Sequence, residues 1–176
     1  KMNVGKLSLT YLENTFLVDR QEASIIQKIL NNFYSSNSKT ISSMNCGSLN
    51  LNNEEEYIEK AQLVWDKIIN NDCKVPHDAY LKMYQLQNFK LDFDIIMLDE
   101  AQDSTECMLT ILRKQSHTIR YLVGDIHQQI YGFRNVVNPF HNNDNSIVRF
   151  TLSQSFRYGY QISHIANMFL KEFKNE

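Results

Sequence analysis

Phe93-Asp94-Ile95-Ile96-Met97-Leu98-Asp99-Glu100-Ala101-Gln102-Asp103 decides the fold. Its first half is a short, nearly continuous apolar run, the pattern of a parallel strand buried on both faces. Its second half turns abruptly acidic and polar. Ile119-Arg120-Tyr121-Leu122-Val123 is a second run of the same kind. Between the two, Ser104 to Lys114 has helical spacing, with Met108, Leu109 and Leu112 expected to face inward. Strand, helix, strand at this separation is a βαβ unit, so this half of the chain reads as α/β with a parallel sheet.

Outward from that unit, Ile147 to Leu152 reads as a third strand. Tyr160 to Phe173 reads as an amphipathic helix through Ile162, Ile165, Ala166, Phe169 and Phe173. Toward the N-terminus the pattern is helical. Glu22 to Tyr34 carries Ala23, Ile26, Ile29, Leu30 and Phe33 at helical spacing, and Glu54 to Ile69 carries Tyr57, Ile58, Ala61, Val64, Trp65, Ile68 and Ile69 behind an acidic first turn that suits the helix dipole. Ser35 to Asn53 is rich in Ser and Asn and reads as a loop or a weak hairpin. His77 to Leu86 reads as a further short helix after Pro76.

Composition narrows the function classes. The chain has 176 residues and 43% hydrophobic content, enough for a sizeable core, and a net charge of -2. That balance excludes a surface coated in basic patches, although a local nucleic-acid groove needs few Lys and Arg. The three cysteines, Cys46, Cys73 and Cys107, show no zinc spacing and read as reduced thiols. With no signal-peptide pattern and no apolar run near the ~20 residues of a membrane span, the expectation is a soluble, intracellular protein, nuclear in a eukaryote.

The polar tips of the strands carry the chemistry. In open α/β sheets ligands bind beyond the carboxyl ends of strands. Asp99 and Glu100 stand there after Leu98. One carboxylate can hold a hydrated Mg²⁺, and its neighbour can orient and deprotonate an attacking water. Asp99 suits the first role and Glu100 the second; the plainer alternative is that both cap the following helix. Beyond the second strand come Gly124, Asp125, His127, Gln128, Tyr131, Phe133 and Arg134. Gln128 has a donor and an acceptor to sense a terminal phosphate, Phe133 has a flat face for an unpaired base, and Arg134 can hold a phosphate. Taken singly, a Gln there is ordinarily a surface residue and an aromatic a core residue. His127 reads as a non-catalytic polar contact.

Together these segments resemble a known family. Asp99-Glu100-Ala101-Gln102-Asp103 resembles motif II of the UvrD-like, superfamily 1 DNA helicases, and Gly124 to Arg134 resembles their motif III, with Phe133 where many members have Trp. Gln154-Ser155-Phe156-Arg157 resembles motif IV. The His127-Gln128-Gln129 version is similar to the F-box DNA helicase branch. The motif-bearing match runs from about Val75 to Glu176 and is specific; the stretch from Leu7 to Ile69 resembles, less specifically, an inserted helical subdomain.

The resemblance implies a partial RecA-like parallel sheet of the P-loop NTPase type. Residues 1–74 would form the inserted helical subdomain, 75–145 the C-terminal half of the first lobe, and 146–176 the start of the second. It implies ATP and Mg²⁺ as cofactors. Asp99 and Glu100 would lie at the metal and the water, Gln128 and Arg157 at the γ-phosphate, Phe156 on adenine, and Gln102 and Asp125 in the nucleotide site. Single-stranded DNA is the implied partner, contacted by Tyr131, Phe133 and Arg134, with His77 and Lys82 beside the track. The implied activity is ATP-dependent, 3′ to 5′ DNA unwinding or translocation in recombination and repair.

One family element is missing. A glycine-rich loop ending in Gly-Lys-Ser/Thr cradles the nucleotide phosphates in such enzymes. Gly5-Lys6 lacks the upstream glycine and the following Ser/Thr, and Ser38-Lys39-Thr40 lacks both glycines. Motifs V and VI would lie beyond Glu176, and the F-box is absent. The chain is therefore expected to be an internal fragment, inactive alone and completed by helicase regions in cis or in trans. The alternative is a non-catalytic DNA-binding or partner-binding remnant of a helicase gene.

Overall fold

In the computed structural model, residues 5, 7–47, 49, 51–132, 135–140 and 147–174 are described. Among them the chain is α/β, with seven α-helices and a two-stranded parallel sheet. It divides into two units, Lys1–His141 and Asn142–Glu176.

The first unit begins with helices. α1 (Leu9–Phe16) is capped by the Ser8 side chain, which accepts from Tyr11 N. α2 (Arg20–Ser35) starts at a capping box. The Asp19 carboxylate accepts from Glu22 N at 2.8 Å, and the Glu22 carboxylate accepts from Asp19 N at 3.2 Å. Its Ala23, Ile26, Ile29, Leu30 and Phe33 are fully or almost fully buried. α3 (Ser43–Cys46) is a single turn within the stretch expected to be loop or hairpin. α4 (Glu54–Ile69) has the bounds its periodicity predicts, with Glu54, Glu55 and Glu56 in the first turn and Lys67 in the last. Phe33 meets Trp65 edge-on at 5.3 Å, and α2 touches α1, α3, α4, α5 and α6. Each fully buried Leu, Ile or Phe there contributes about 1.5–3 kcal/mol, so α2 is the axis of the core.

α5 (His77–Gln87) follows Pro76 and stops at Asn88, whose left-handed backbone (φ 58°) ends the helix. β1 (Ile95–Leu98), a 3₁₀ turn (Ala101–Asp103), α6 (Glu106–Arg113), β2 (Ile119–Leu122) and a second 3₁₀ turn (Ile126–Gln128) complete the unit. β1 and β2 pair in parallel, with Ile95 opposite Ile119 and Leu98 opposite Leu122. Two buried or anchored polar groups set how β1 is approached. Gln115, 1% exposed, donates to Phe89 O and accepts from Leu91 N, and Lys114 Nζ donates to Gln85 O. In α6 the fully buried position belongs to Cys107, while Met108 is half-buried.

Two expectations are corrected. The strands are not buried on both faces. Ile95 (51%), Met97 (73%), Ile119 (58%) and Tyr121 (49%) are exposed together on one side of the sheet. A sheet face is buried only by a second layer, and among the described residues none covers this one. The run 147–152 is not a strand. In the second unit, residues 147–159 have no regular helix or strand, and Val148, Phe150 and Leu152 are more than three-quarters exposed. A strand satisfies its backbone by pairing, and the described residues of this unit hold no second strand. α7 (Tyr160–Lys174) then forms as its periodicity predicts, with Ile162, Ile165 and Met168 more than half exposed.

The described residues include no helix long and apolar enough to cross a membrane. Cys46, Cys73 and Cys107 are free and buried.

Candidate functional site

Parallel pairing in register brings the carboxyl ends of β1 and β2 side by side. Val123 N donates to Leu98 O and Ala101 N donates to Val123 O, both at 2.9 Å, so the chain leaving one strand is laced to the chain leaving the other. Between these bonds Glu100 adopts a left-handed backbone, φ 49° and ψ 42°. Such a conformation costs a non-glycine residue roughly 1–2 kcal/mol. Strain of this kind persists only where the surroundings hold it, and it concentrates at functional sites.

A chain of hydrogen bonds links the two tips. Asp99 Oδ1 accepts from Glu100 N at 2.9 Å. Gln102 Nε2 donates to Glu100 Oε2 at 2.7 Å, and Gln102 Oε1 accepts from Asp125 N at 3.1 Å. Gln129 Nε2 donates to Gln102 O at 2.8 Å. Asp125 in turn accepts from His127 N at 2.9 Å and from Gln128 Nε2 at 2.8 Å. The path from Glu100 to Gln128 therefore runs through one buried amide and one carboxylate. Asp99, Glu100 and Gln128 are exposed, Asp125 is partly so, and Gln102 is 1% exposed.

The resemblance implies a place for Gln102 in the nucleotide site, and in the structure both ends of its side-chain amide are engaged inside the protein, with Glu100 and Asp125. Gly124 makes room for it: a Cβ there would stand 2.3 Å from Gln102 Oε1 and 3.0 Å from Ala101 N. The second contact is with backbone, which cannot swing aside.

Lys82 is a correction. Expected beside a DNA track, it has no exposed surface. Its Nζ donates to Ser36 O at 3.0 Å and Ser38 O at 2.5 Å, and stands 4.4 Å from the centre of the Phe33 ring. The ammonium closes the carbonyl end of α2 from inside and is out of reach of a phosphate. Burial holds it down to about 8. His77 is exposed at the start of α5, edge-on to Tyr80 at 5.8 Å. Tyr131 is 40% exposed. Phe133 and Arg134 lie outside the described residues. Phe156 (89% exposed) and Arg157 belong to the second unit, where Arg157 N donates to Ser155 Oγ at 3.3 Å. Of the three segments expected to converge, the first two therefore lie side by side within one unit.

Three residues with positional roles escaped the sequence reading: Gln115, Gln129 and Asn135. Each is an amide whose bonds reach a distant segment. Hydrophobic spacing carries no trace of them.

A family model of the UvrD/REP helicase N-terminal domain matches residues 5–146. The chain belongs to the UvrD/REP helicase family. Within that family it is 36% identical over 132 residues to F-box DNA helicase protein 1 of Schizosaccharomyces pombe, a match covering 70% of this chain and 15% of that relative. It is 32% identical over 189 residues to F-box DNA helicase 1 of Gallus gallus, covering 94% and 18%. A probable DNA helicase II homolog of Mycoplasma capricolum subsp. capricolum is 27% identical over 95 residues, covering 51% and 13%. The chain thus spans less than a fifth of the length of these relatives. No solved structure matches it. For a UvrD/REP helicase domain the matched span encloses both strand tips and the buried Gln102, and it ends before Phe156 and Arg157.

Proposed function

We propose that this chain supplies the metal-and-water half of the nucleotide site of an ATP-dependent DNA helicase that moves 3′ to 5′ on single-stranded DNA, serving recombination and repair. The observation that carries the reading is the hydrogen-bonded path from Glu100 through Gln102 and Asp125 to Gln128, across two adjacent parallel strand ends. Such a path orients a carboxylate and a phosphate-sensing amide toward one ligand. On this reading the two strands are part of a RecA-like sheet. Residues 1–74 form its helical insertion, 75–145 the rest of the first lobe, and 146–176 the start of the second.

The residues present fit a magnesium nucleotide. Two exposed carboxylates stand beyond a strand, and Asp103 Oδ1 is buried with no hydrogen-bond partner among the described residues. Asp99 and Glu100 would hold the metal, which when bound offsets phosphate charge and aligns the reacting oxygens. Glu100 positions a water and takes its proton. Gln128 and Asp125 set the distance between β2 and the terminal phosphate. In the second unit Arg157 is the proposed phosphate contact and Phe156 the proposed base contact. Tyr131, Phe133, Arg134 and His77 are the proposed contacts to single-stranded DNA. The phosphate-cradling glycine loop comes from another part of the protein, in cis or in trans.

The test is ATP hydrolysis by the full-length protein with and without single-stranded DNA. Stimulation of about tenfold or more is expected, since site closure commonly gates turnover. DNA binding with no hydrolysis would favour the second reading, a non-catalytic DNA-binding remnant.

A further inference from the structure

Residues 136–140 return to the start of α6. Val136 pairs with Thr105 in an antiparallel bridge, and Val137 N donates to Ser104 O at 2.9 Å. Asn138-Pro139-Phe140 then makes an Asx turn. Phe140 N donates to Asn138 Oδ1 at 2.9 Å, and the proline fixes the backbone between them. This anchored turn brings the Phe140 ring to Gly124. Around the point where a Gly124 Cβ would stand, Phe140 Cε2 lies at 3.1 Å, Gln102 Oε1 at 2.3 Å and Ala101 N at 3.0 Å. Ring edge and amide oxygen therefore share the space that a side chain at 124 would take. Phe140 is half-buried, and Gln102 is 1% exposed.

The oxygen at that place accepts from Asp125 N at 3.1 Å, toward the long end of the ordinary range for such a bond. A bond between two neutral amides is stronger where water is kept out, and water competes for both partners once it reaches them. Gly124 has no side chain to cover it. We propose that Phe140 is a positioning residue whose ring closes the bare side of Gly124, keeps water off the Gln102–Asp125 bond, and so fixes the amide that holds Glu100. The other end of that amide, Gln102 Nε2, donates to Glu100 Oε2 at 2.7 Å. With the ring gone, water takes Gln102 Oε1, the amide gains freedom to turn, and the carboxylate loses its fixed donor. The shielding stands on the geometry alone; its effect on turnover rests on the helicase reading above.

The experiment measures amide hydrogen exchange, residue by residue, in the full-length protein. Phe140→Ala should speed exchange at the Asp125 amide by roughly three- to tenfold, the range that one hydrogen bond of ordinary strength permits. Phe140→Leu keeps an apolar cover and should hold it within about twofold of wild type. The amides of Val137, bonded to Ser104 O, and of Ile119, bonded to Asp94 O at the far end of β2, are the references. Both should stay within about twofold in either variant, because local opening leaves distant bonds intact. ATP turnover should fall roughly three- to tenfold in Phe140→Ala with KM for ATP nearly unchanged, and Phe140→Leu should restore it. Wild-type exchange at Asp125 in Phe140→Ala would overturn the proposal. So would a common acceleration at Asp125, Val137 and Ile119, which would make the ring a general support of the fold, or wild-type turnover despite faster exchange. A wild-type protein that hydrolyses no ATP would refute the helicase reading, while exchange at Asp125 still decides the shielding, so the two failures are distinguishable.

Discussion

Glu100→Gln in the full-length protein should lower ATP turnover by about 10²–10⁴-fold, the contribution of a positioned general base, while leaving nucleotide binding largely intact. The substitution is close to isosteric, and Gln at position 100 keeps an oxygen to accept from Gln102 Nε2. What it removes is the charge and the ability to take a proton from water. The left-handed backbone at this position is no harder for Gln than for Glu, so the turn between β1 and α6 should survive. Steady-state hydrolysis and binding of a fluorescent nucleotide separate the two effects. Turnover near the wild-type rate would show that Glu100 only caps the start of the following turn.

Lys82 gives the second large effect, on stability and its pH dependence. Burial lowers its ammonium from 10.5 to about 8 in the folded chain, with Cys107 opposing and Lys114 reinforcing the shift. Between about pH 8 and 10.5 the unfolded chain therefore binds more protons at this site than the folded one. The Lys82 contribution to stability should rise with pH across that window, by up to about 3 kcal/mol. The carbonyls of Ser36 and Ser38 and the face of Phe33 favour the cation, so this figure is an upper bound. Cys107 and Cys46 act in the opposite sense. Burial pushes both thiols up to about 11, and the stability this gives below pH 9 is lost as pH rises through 11. The difference between wild type and Lys82→Met isolates the lysine. Measured by urea unfolding through the fluorescence of Trp65, the single tryptophan, wild type should gain on Lys82→Met between pH 8 and 10. A constant difference would mean that the ammonium keeps its ordinary affinity for the proton despite complete burial. At neutral pH the variant also leaves two carbonyls without their donor, a cost of about 1–3 kcal/mol each if they stay dry.

The sequence was legible where one physical rule governs a whole segment. The α4 bounds follow from helical spacing behind three glutamates. The parallel pair follows from two apolar runs separated by one helix. The polar tips follow from the abrupt change at Asp99 and Gly124. The pattern fails where burial depends on what lies across from the residue. An apolar run looks the same whether one or both faces are covered, so Met97 and Tyr121 read as core and are exposed. Ile147 to Leu152 has strand composition, but β structure needs a partner. In α5 the buried positions Ala79, Lys82 and Gln85 include two polar residues, and no hydropathy pattern reveals that a lysine there points inward to carbonyls. Gln115 and Asn135 are invisible for the same reason: their importance lies in partners 24 to 103 residues away.

The site account rests on the tips of β1 and β2 sharing one metal nucleotide. Its most direct test replaces Mg²⁺ by Fe²⁺ in the full-length protein with ATP, adds ascorbate and peroxide, and maps where the backbone is cut. Cuts confined to residues 99–103 and 124–128, dependent on ATP and competed by Mg²⁺, are the predicted result. Cleavage elsewhere in the chain, with both tips intact, would contradict the account.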